Sequence, residues 1–158
     1  EEMIARMTAL LRHSFTSEQT PETTLADELR LLELYLEIMR LRYAERLFVQ
    51  VDSPPELARA RVPRFLLQPL VENALRHGDD PAMTLVAARV TVRAEDDSLV
   101  IRIRDHSHCD DQSPHSVGVT NATARIAQLY GPNYGLSSRR TDEGIEVTVR
   151  LPLRFGDS

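Results

Sequence analysis

The stretch Pro63-Arg64-Phe65-Leu66-Leu67-Gln68-Pro69-Leu70-Val71-Glu72-Asn73-Ala74-Leu75-Arg76-His77-Gly78 carries the densest information in the chain. Phe65, Leu66, Leu70, Val71, Ala74 and Leu75 recur at helical spacing, which predicts an amphipathic helix opening at Pro63 and closing at Gly78. Pro69 falls inside that span and predicts a kink or irregular first turns. Glu72, Asn73, Arg76 and His77 are polar groups on this otherwise apolar helix, and positions 73, 76 and 77, at i, i+3 and i+4, share one face. An amide oxygen able to ligate a hard cation, beside an arginine able to grip phosphate, would make a platform for a magnesium triphosphate. From these residues alone, an ordinary solvated helix face with a histidine near its end is the simpler description.

Upstream, Met3 to Phe15 places Ile4, Met7, Leu10 and Leu11 on one stripe, the end of a helix, and a polar stretch around Pro21 breaks it. Thr24 then offers an N-cap, Asp27 and Glu28 suit the first turn, and Leu25, Leu29, Leu32, Leu36, Met39 and Tyr43 continue an apolar face to about Glu45. Leu47 to Val51 alternates as a short strand ended by Pro54-Pro55. Val86 to Ala94 and Leu99 to Asp105 alternate across Glu95-Asp96-Asp97-Ser98, which predicts a hairpin. His106 to Ser116 lacks periodicity, Thr120 to Tyr130 is helical up to Gly131-Pro132, and strands at Gly135 to Arg140 and Ile145 to Leu151 flank Asp142-Glu143-Gly144. Grouped helices and antiparallel strands predict an α+β two-layer sandwich, with helices on one face of a mixed, mainly antiparallel sheet.

The 158 residues suffice for one domain with a helical appendage and a core that needs no staples. The single cysteine, Cys109, has no partner within the chain, which favours a reducing, cytoplasmic setting. No apolar run approaches the roughly 18 to 20 residues of a membrane span, so any anchor is expected outside this chain. A net charge of −5 argues against a nucleic-acid surface, which is usually a basic stripe. All 19 basic residues are arginine, so any phosphate contact must be a guanidinium fork, a backbone N–H or a helix N-terminus.

The Pro63 to Gly78 stretch closely resembles the N box of the GHKL ATPase superfamily in its LytS/YehU sensor histidine kinase form, with Gln68-Pro69-Leu70-Val71-Glu72-Asn73-Ala74 at its centre. The likeness extends from about Met3 to Leu153. It takes in Asp105 at the end of an apolar strand, Gly118 and Asn121 of a later glycine motif, Arg125 after it, Leu129-Tyr130-Gly131, and the closing Gly144-x-x-Val147-x-Val149-x-Leu151-Pro152. The resemblance implies the Bergerat ATPase fold over residues 47–158, preceded by a helical linker over residues 1–46 that ends the dimerisation and phosphoacceptor region. It implies that Asn73 ligates magnesium through ATP, that Arg76 contacts phosphate, and that Glu72 and His77 complete the wall. Glu72 and Asn73 would be the catalytic pair. Asp105 would accept a hydrogen bond from the adenine amino group, a role suited to a group that only accepts. Gly118, Asn121 and Arg125 would complete the nucleotide contacts.

The implied activity is that of a catalytic domain using ATP and Mg2+ to phosphorylate a histidine upstream of Glu1, for relay to a response regulator, a LytTR-type one being a candidate. The implied setting is a homodimeric, inner-membrane sensor in which this domain is cytoplasmic and binds no nucleic acid. Departures from the pattern support an alternative, a pseudokinase acting as a regulatory or dimerisation module. Ser107, Cys109 and Ser116 stand where the family has glycine, whose freedom lets backbone approach a nucleotide closely. Pro69 occupies the position where hydrolytic relatives carry a glutamate, which disfavours a stand-alone ATPase. His13 lacks the Pro-His-Phe context of the acceptor and reads as a helix-surface histidine. His106, His108, Cys109, Asp110, Asp111 and His115 are metal-ligand types in one loop, but without Cys-x-x-Cys or His-x-x-x-His spacing they read as a solvated segment.

Overall fold

The structure, a computed structural model, describes residues 20–76, 82, 84–106 and 117–156. Strand β1 (Glu22–Thr24) runs directly into helix α1 (Leu25–Tyr43). Thr24 is extended, and its hydroxyl accepts the N–H of Asp27 at 3.2 Å, as expected of a threonine N-cap. The helix ends two residues before Glu45, where Ala44 takes a φ of 50° and opens a short 3-10 turn, Ala44–Arg46, into strand β2 (Leu47–Asp52).

The conserved-looking stretch folds differently at its start from the periodicity-based expectation. Arg61–Pro63 is a strand, β3, paired antiparallel with β1 so that Glu22 faces Pro63 and Thr24 faces Arg61. Helix α2 begins only at Leu67 and ends at Ala74. Pro69 is therefore in the first turn, where its missing N–H has no intrahelical acceptor to leave empty, so no kink is needed. Alternation could not reveal β1 and β3, because three residues are too few to show a period of two.

The remaining strands are β4 (Val86–Glu95), β5 (Ser98–Asp105), β6 (Gly135–Thr141) and β7 (Gly144–Pro152), with helix α3 (Val117–Tyr130) between β5 and β6. They form one sheet in the order β2-β4-β5-β7-β6, parallel only between β2 and β4. The expected hairpin is formed with Asp96 and Asp97 at its turn, and α3 stops at Gly131, whose φ of 85° suits glycine.

Register sorts the strand residues by face. Val90, Ile103 and Val147 lie in one row, and Val92, Ile101 and Val149 in the next, all directed at the helices. Leu32, Leu36 and Met39 of α1, Leu67 and Leu70 of α2, and Ile126 of α3 join the inward-facing residues of β4 and β5 in one apolar core. The opposite face is polar, with Arg102 and Arg150 on Glu95, and Arg104 and Arg139 on Glu146. Burying one face only is what places helices on one side of the sheet. The result is the expected two-layer α/β sandwich with a mixed sheet.

Candidate functional site

Asp105 ends the inward-facing row of β5, opposite Ala88 in the register, and is 5% exposed. Helix α2, which bears Asn73, packs against β5 on that same side of the sheet, although 32 positions separate Asn73 from Asp105 in sequence. Oδ1 of Asp105 accepts the backbone N–H of Ile145 at 2.9 Å, which fixes the carboxylate. That contact depends on Gly144. Its φ is 145°, and a methyl group added there would stand 2.5 Å from Oδ1 of Asp105 and closer still to its carbonyl oxygen. In the sequence Gly144 appears as a turn residue and as the first position of the closing motif, and neither reveals its approach to Asp105, which joins strands distant in the chain.

Asn73 is half-buried in the last turn of α2, and Glu72 is exposed, accepting from Nε2 of the buried Gln68 at 3.0 Å. Helix α2 ends at Ala74, so the exposed Arg76 lies two residues beyond it. His77 lies outside the described residues, as do Ser107 to Ser116 and the helix expected before Ser17. Of the loop's metal-ligand types only His106 is described, exposed, with its N–H on the carbonyl of Ala87 at 3.3 Å. Among the described residues no cluster of three or more His, Cys, Asp or Glu could hold a metal ion. Gly118 falls in the first turn of α3, and Asn121 is exposed one turn on. Arg125 is half-buried, and its guanidinium donates to the carbonyl oxygen of Arg64.

One residue of this region was not singled out in the sequence. Glu28, expected in the first turn of α1 and found there, is 2% exposed. Its Oε1 accepts from the N–H of Phe65 at 2.6 Å, and its Oε2 from those of Leu66 at 2.8 Å and Leu67 at 3.0 Å. Helix α2 has no side-chain cap of its own, so α1 supplies the acceptor for its orphan N–H groups. Phe65 has a φ of 58°, a costly conformation for a bulky residue, and this turn helps gather the N–H groups on one carboxylate. Burial pushes the Glu28 carboxyl above its ordinary value, against the opposing pull of the N–H groups and of the Arg125 charge. The available signal was position: Glu28 stands three residues after Leu25 and four before Leu32, within the buried stripe of α1.

Comparison with known proteins puts these observations in context. A family model described as "Histidine kinase" matches residues 1–47. The sensor histidine kinase BtsS of Escherichia coli K12 is 32% identical over 134 residues, covering 83% of this chain and 24% of BtsS. Sensor histidine kinase YesM of Bacillus subtilis is 26% identical over 159 residues, covering 96% of this chain and 27% of YesM. The chain thus spans about a quarter of the length of these relatives. Among solved structures, the histidine kinase domain of the Erythrobacter litoralis blue-light activated kinase EL346 superposes with a TM-score of 0.62 at 15% identity, over 96% of this chain and 74% of that one. The ATP binding domain of PrrB from Mycobacterium tuberculosis gives 0.57 at 16% identity, over 87% of this chain and 99% of that one. The fold described above therefore matches the Bergerat, or GHKL, fold seen in histidine-kinase catalytic domains, and the chain is similar in sequence to part of several sensor histidine kinases, LytS of Oceanobacillus iheyensis among them.

Proposed function

We propose that this chain is the ATP-binding catalytic domain of a two-component sensor histidine kinase of the LytS/YehU type. In the full-length protein it donates the γ-phosphate of ATP to a histidine upstream of Glu1, for relay to a response regulator of the LytTR type. Residues 1–46 close the dimerisation region of a homodimer, residues 47–158 carry the nucleotide, and the domain faces the cytoplasm beneath an inner-membrane anchor. The observation that carries the reading is the buried Asp105 carboxylate, held by the N–H of Ile145 on the same side of the sheet as the helix bearing Asn73.

The donor set suits Mg-ATP. An acceptor-only carboxylate matches an amino group, a half-buried amide matches a hard cation, and the exposed Arg76 is available to phosphate. By the resemblance, Glu72 and His77 would complete the wall of the cation site, and Gly118, Asn121 and Arg125 the nucleotide contacts. When bound, ATP supplies the phosphoryl group. The chain's residues position it, screen its charge and keep the adenine in register with Asp105.

Titration calorimetry of the 158-residue chain with ATP and magnesium tests this reading, with the Asp105→Asn variant as control. Saturable binding that Asp105→Asn weakens by about tenfold to a hundredfold, the worth of a hydrogen bond to a charged group, is the expected result. A second reading, the pseudokinase module, is favoured by Ser107, Cys109 and Ser116 at glycine positions. It would be supported by a folded chain that takes up no nucleotide.

A further inference from the structure

The opening of α2 is where three separate elements of the chain meet. Glu28 reaches it from α1 and accepts the N–H groups of Phe65, Leu66 and Leu67. Arg125 reaches it from α3 and donates to the carbonyl oxygen of Arg64, one residue before Phe65. The two side chains oppose each other in charge across this turn, which Arg64 further ties to the amino-terminal side by donating to the carbonyl of Thr20 at 3.1 Å. Neither Glu28 nor Arg125 stands on the helix it holds.

An eight-residue helix is effectively rigid, so fixing its first turn fixes the direction of its last, where Asn73 stands six residues after Leu67. Asp105 is anchored by other means, through the sheet and the N–H of Ile145. The spacing between the two halves of the nucleotide site is thus set by how α2 is seated. Apolar packing of Leu67 and Leu70 resists separation of α2 from the sheet, but it is non-directional and specifies rotation and sliding poorly. Hydrogen bonds to charged groups are directional and stronger than neutral ones, and here those of Leu66 and Leu67 to Glu28 are buried and the other two half-buried.

The geometry points to Glu28 and Arg125 as positioning residues, a clamp from α1 and α3 that seats the Asn73 helix relative to Asp105 and so sets the magnesium-dependent part of nucleotide affinity. This inference rests on the ATP-binding reading above. It places no catalytic duty on either side chain.

The test compares the wild-type chain with Glu28→Gln, which keeps size but turns one acceptor into a donor facing N–H groups, and with Arg125→Met, which keeps length and loses charge. ATP affinity is measured with magnesium and again with EDTA, and backbone hydrogen exchange is followed without nucleotide. The clamp predicts that both variants lose about tenfold or more in affinity with magnesium, the scale of one charge-assisted hydrogen bond, while the magnesium-free affinity of Glu28→Gln stays within about twofold. Exchange should quicken across Leu67 to Leu75 in both and remain slow in β4 and β5. Equal loss of both affinities in Glu28→Gln, as mere destabilisation would produce, overturns the inference, and so does retention of the full magnesium effect in it. Should Glu28→Gln not fold, Glu28→Asp, which keeps the charge and shortens its reach, carries the same comparison. If the wild type binds no nucleotide, the ATP-binding reading fails, and unchanged exchange at Leu67 to Leu75 in the variants would dispose of the clamp separately.

Discussion

At Gly144 a single hydrogen atom in place of a side chain lets two distant strands share a carboxylate. A φ of 145° is nearly closed to other residues, and a methyl group there would collide with Asp105. Gly144→Ala should therefore lower stability by about 1 to 3 kcal/mol from backbone strain alone, with the collision adding to it, as read from urea unfolding. Two buried carboxylates should show opposite pH behaviour. Glu146 is drawn upward by burial, but the hydrogen bonds of Arg104 and Arg139 outweigh this and hold it below its ordinary 4.5. Its stabilisation is complete above that value and is lost as pH falls through the lowered one. Glu28 is raised above 4.5 by burial, so its contribution is complete below that value and is lost as pH rises through the raised one. Urea midpoints from about pH 3 to about pH 8 should thus lose part of their acid-side slope in Glu146→Gln and part of their opposing slope in Glu28→Gln. Unaltered slopes in both variants would contradict the assigned environments.

At the scale of elements, hydrogen bonding across the fold decides where α2 begins. Apolar spacing alone extended it back to Pro63, yet Arg61–Pro63 pairs with β1, and Glu28 then caps a helix starting at Leu67. The segment from Ser107 to Ser116 offers a second test at this scale, argued from residue type. A non-glycine residue held on a glycine-only path costs on the order of 1 to 3 kcal/mol, and a relaxed path forgoes backbone contacts to the nucleotide. Restoring Ser107→Gly, Cys109→Gly and Ser116→Gly together should strengthen ATP binding by about tenfold to several hundredfold in calorimetry. Unchanged or weaker binding in the restored chain would show that these residues do not limit the site.

For the molecule as a whole, stability and function are divided between the faces of one sheet. The outer face carries its arginines mostly in ion pairs, solvated ones with Asp52 and Glu95 that add little to stability, and those of Arg104 and Arg139 on the buried carboxylate of Glu146. The inner face buries the apolar rows and, at its end, Asp105. On the proposed reading, such a domain would hold ATP without holding the histidine that receives the phosphoryl group. Incubated with Mg-ATP, the chain alone should acquire no acid-labile phosphate, because it contains no Asn-Pro-His-Phe-Leu-Phe-Asn segment. Label appearing on His13 would overturn the placement of the acceptor upstream.

What the sequence determined by itself was short-range. The Thr24 cap, the β4–β5 hairpin, the end of α3 at Gly131 and the polar-apolar alternation of β5 and β7 follow from turn chemistry and periodicity acting over a few residues. The long Gln68 to Ala74 motif supplied the resemblance, and with it the expectation that Asn73 and Asp105 belong to one site. Only the tertiary structure decided the β1–β3 ladder, the burial of Glu28, the seat of Arg125 on Arg64 and the lock between Gly144 and Asp105. Their hydrogen bonds span 37 to 39 residues for Glu28, 61 for Arg125 and 40 for Asp105. No local pattern encodes such contacts. They form because chain closure brings orphan N–H groups and buried charges together where water cannot satisfy them.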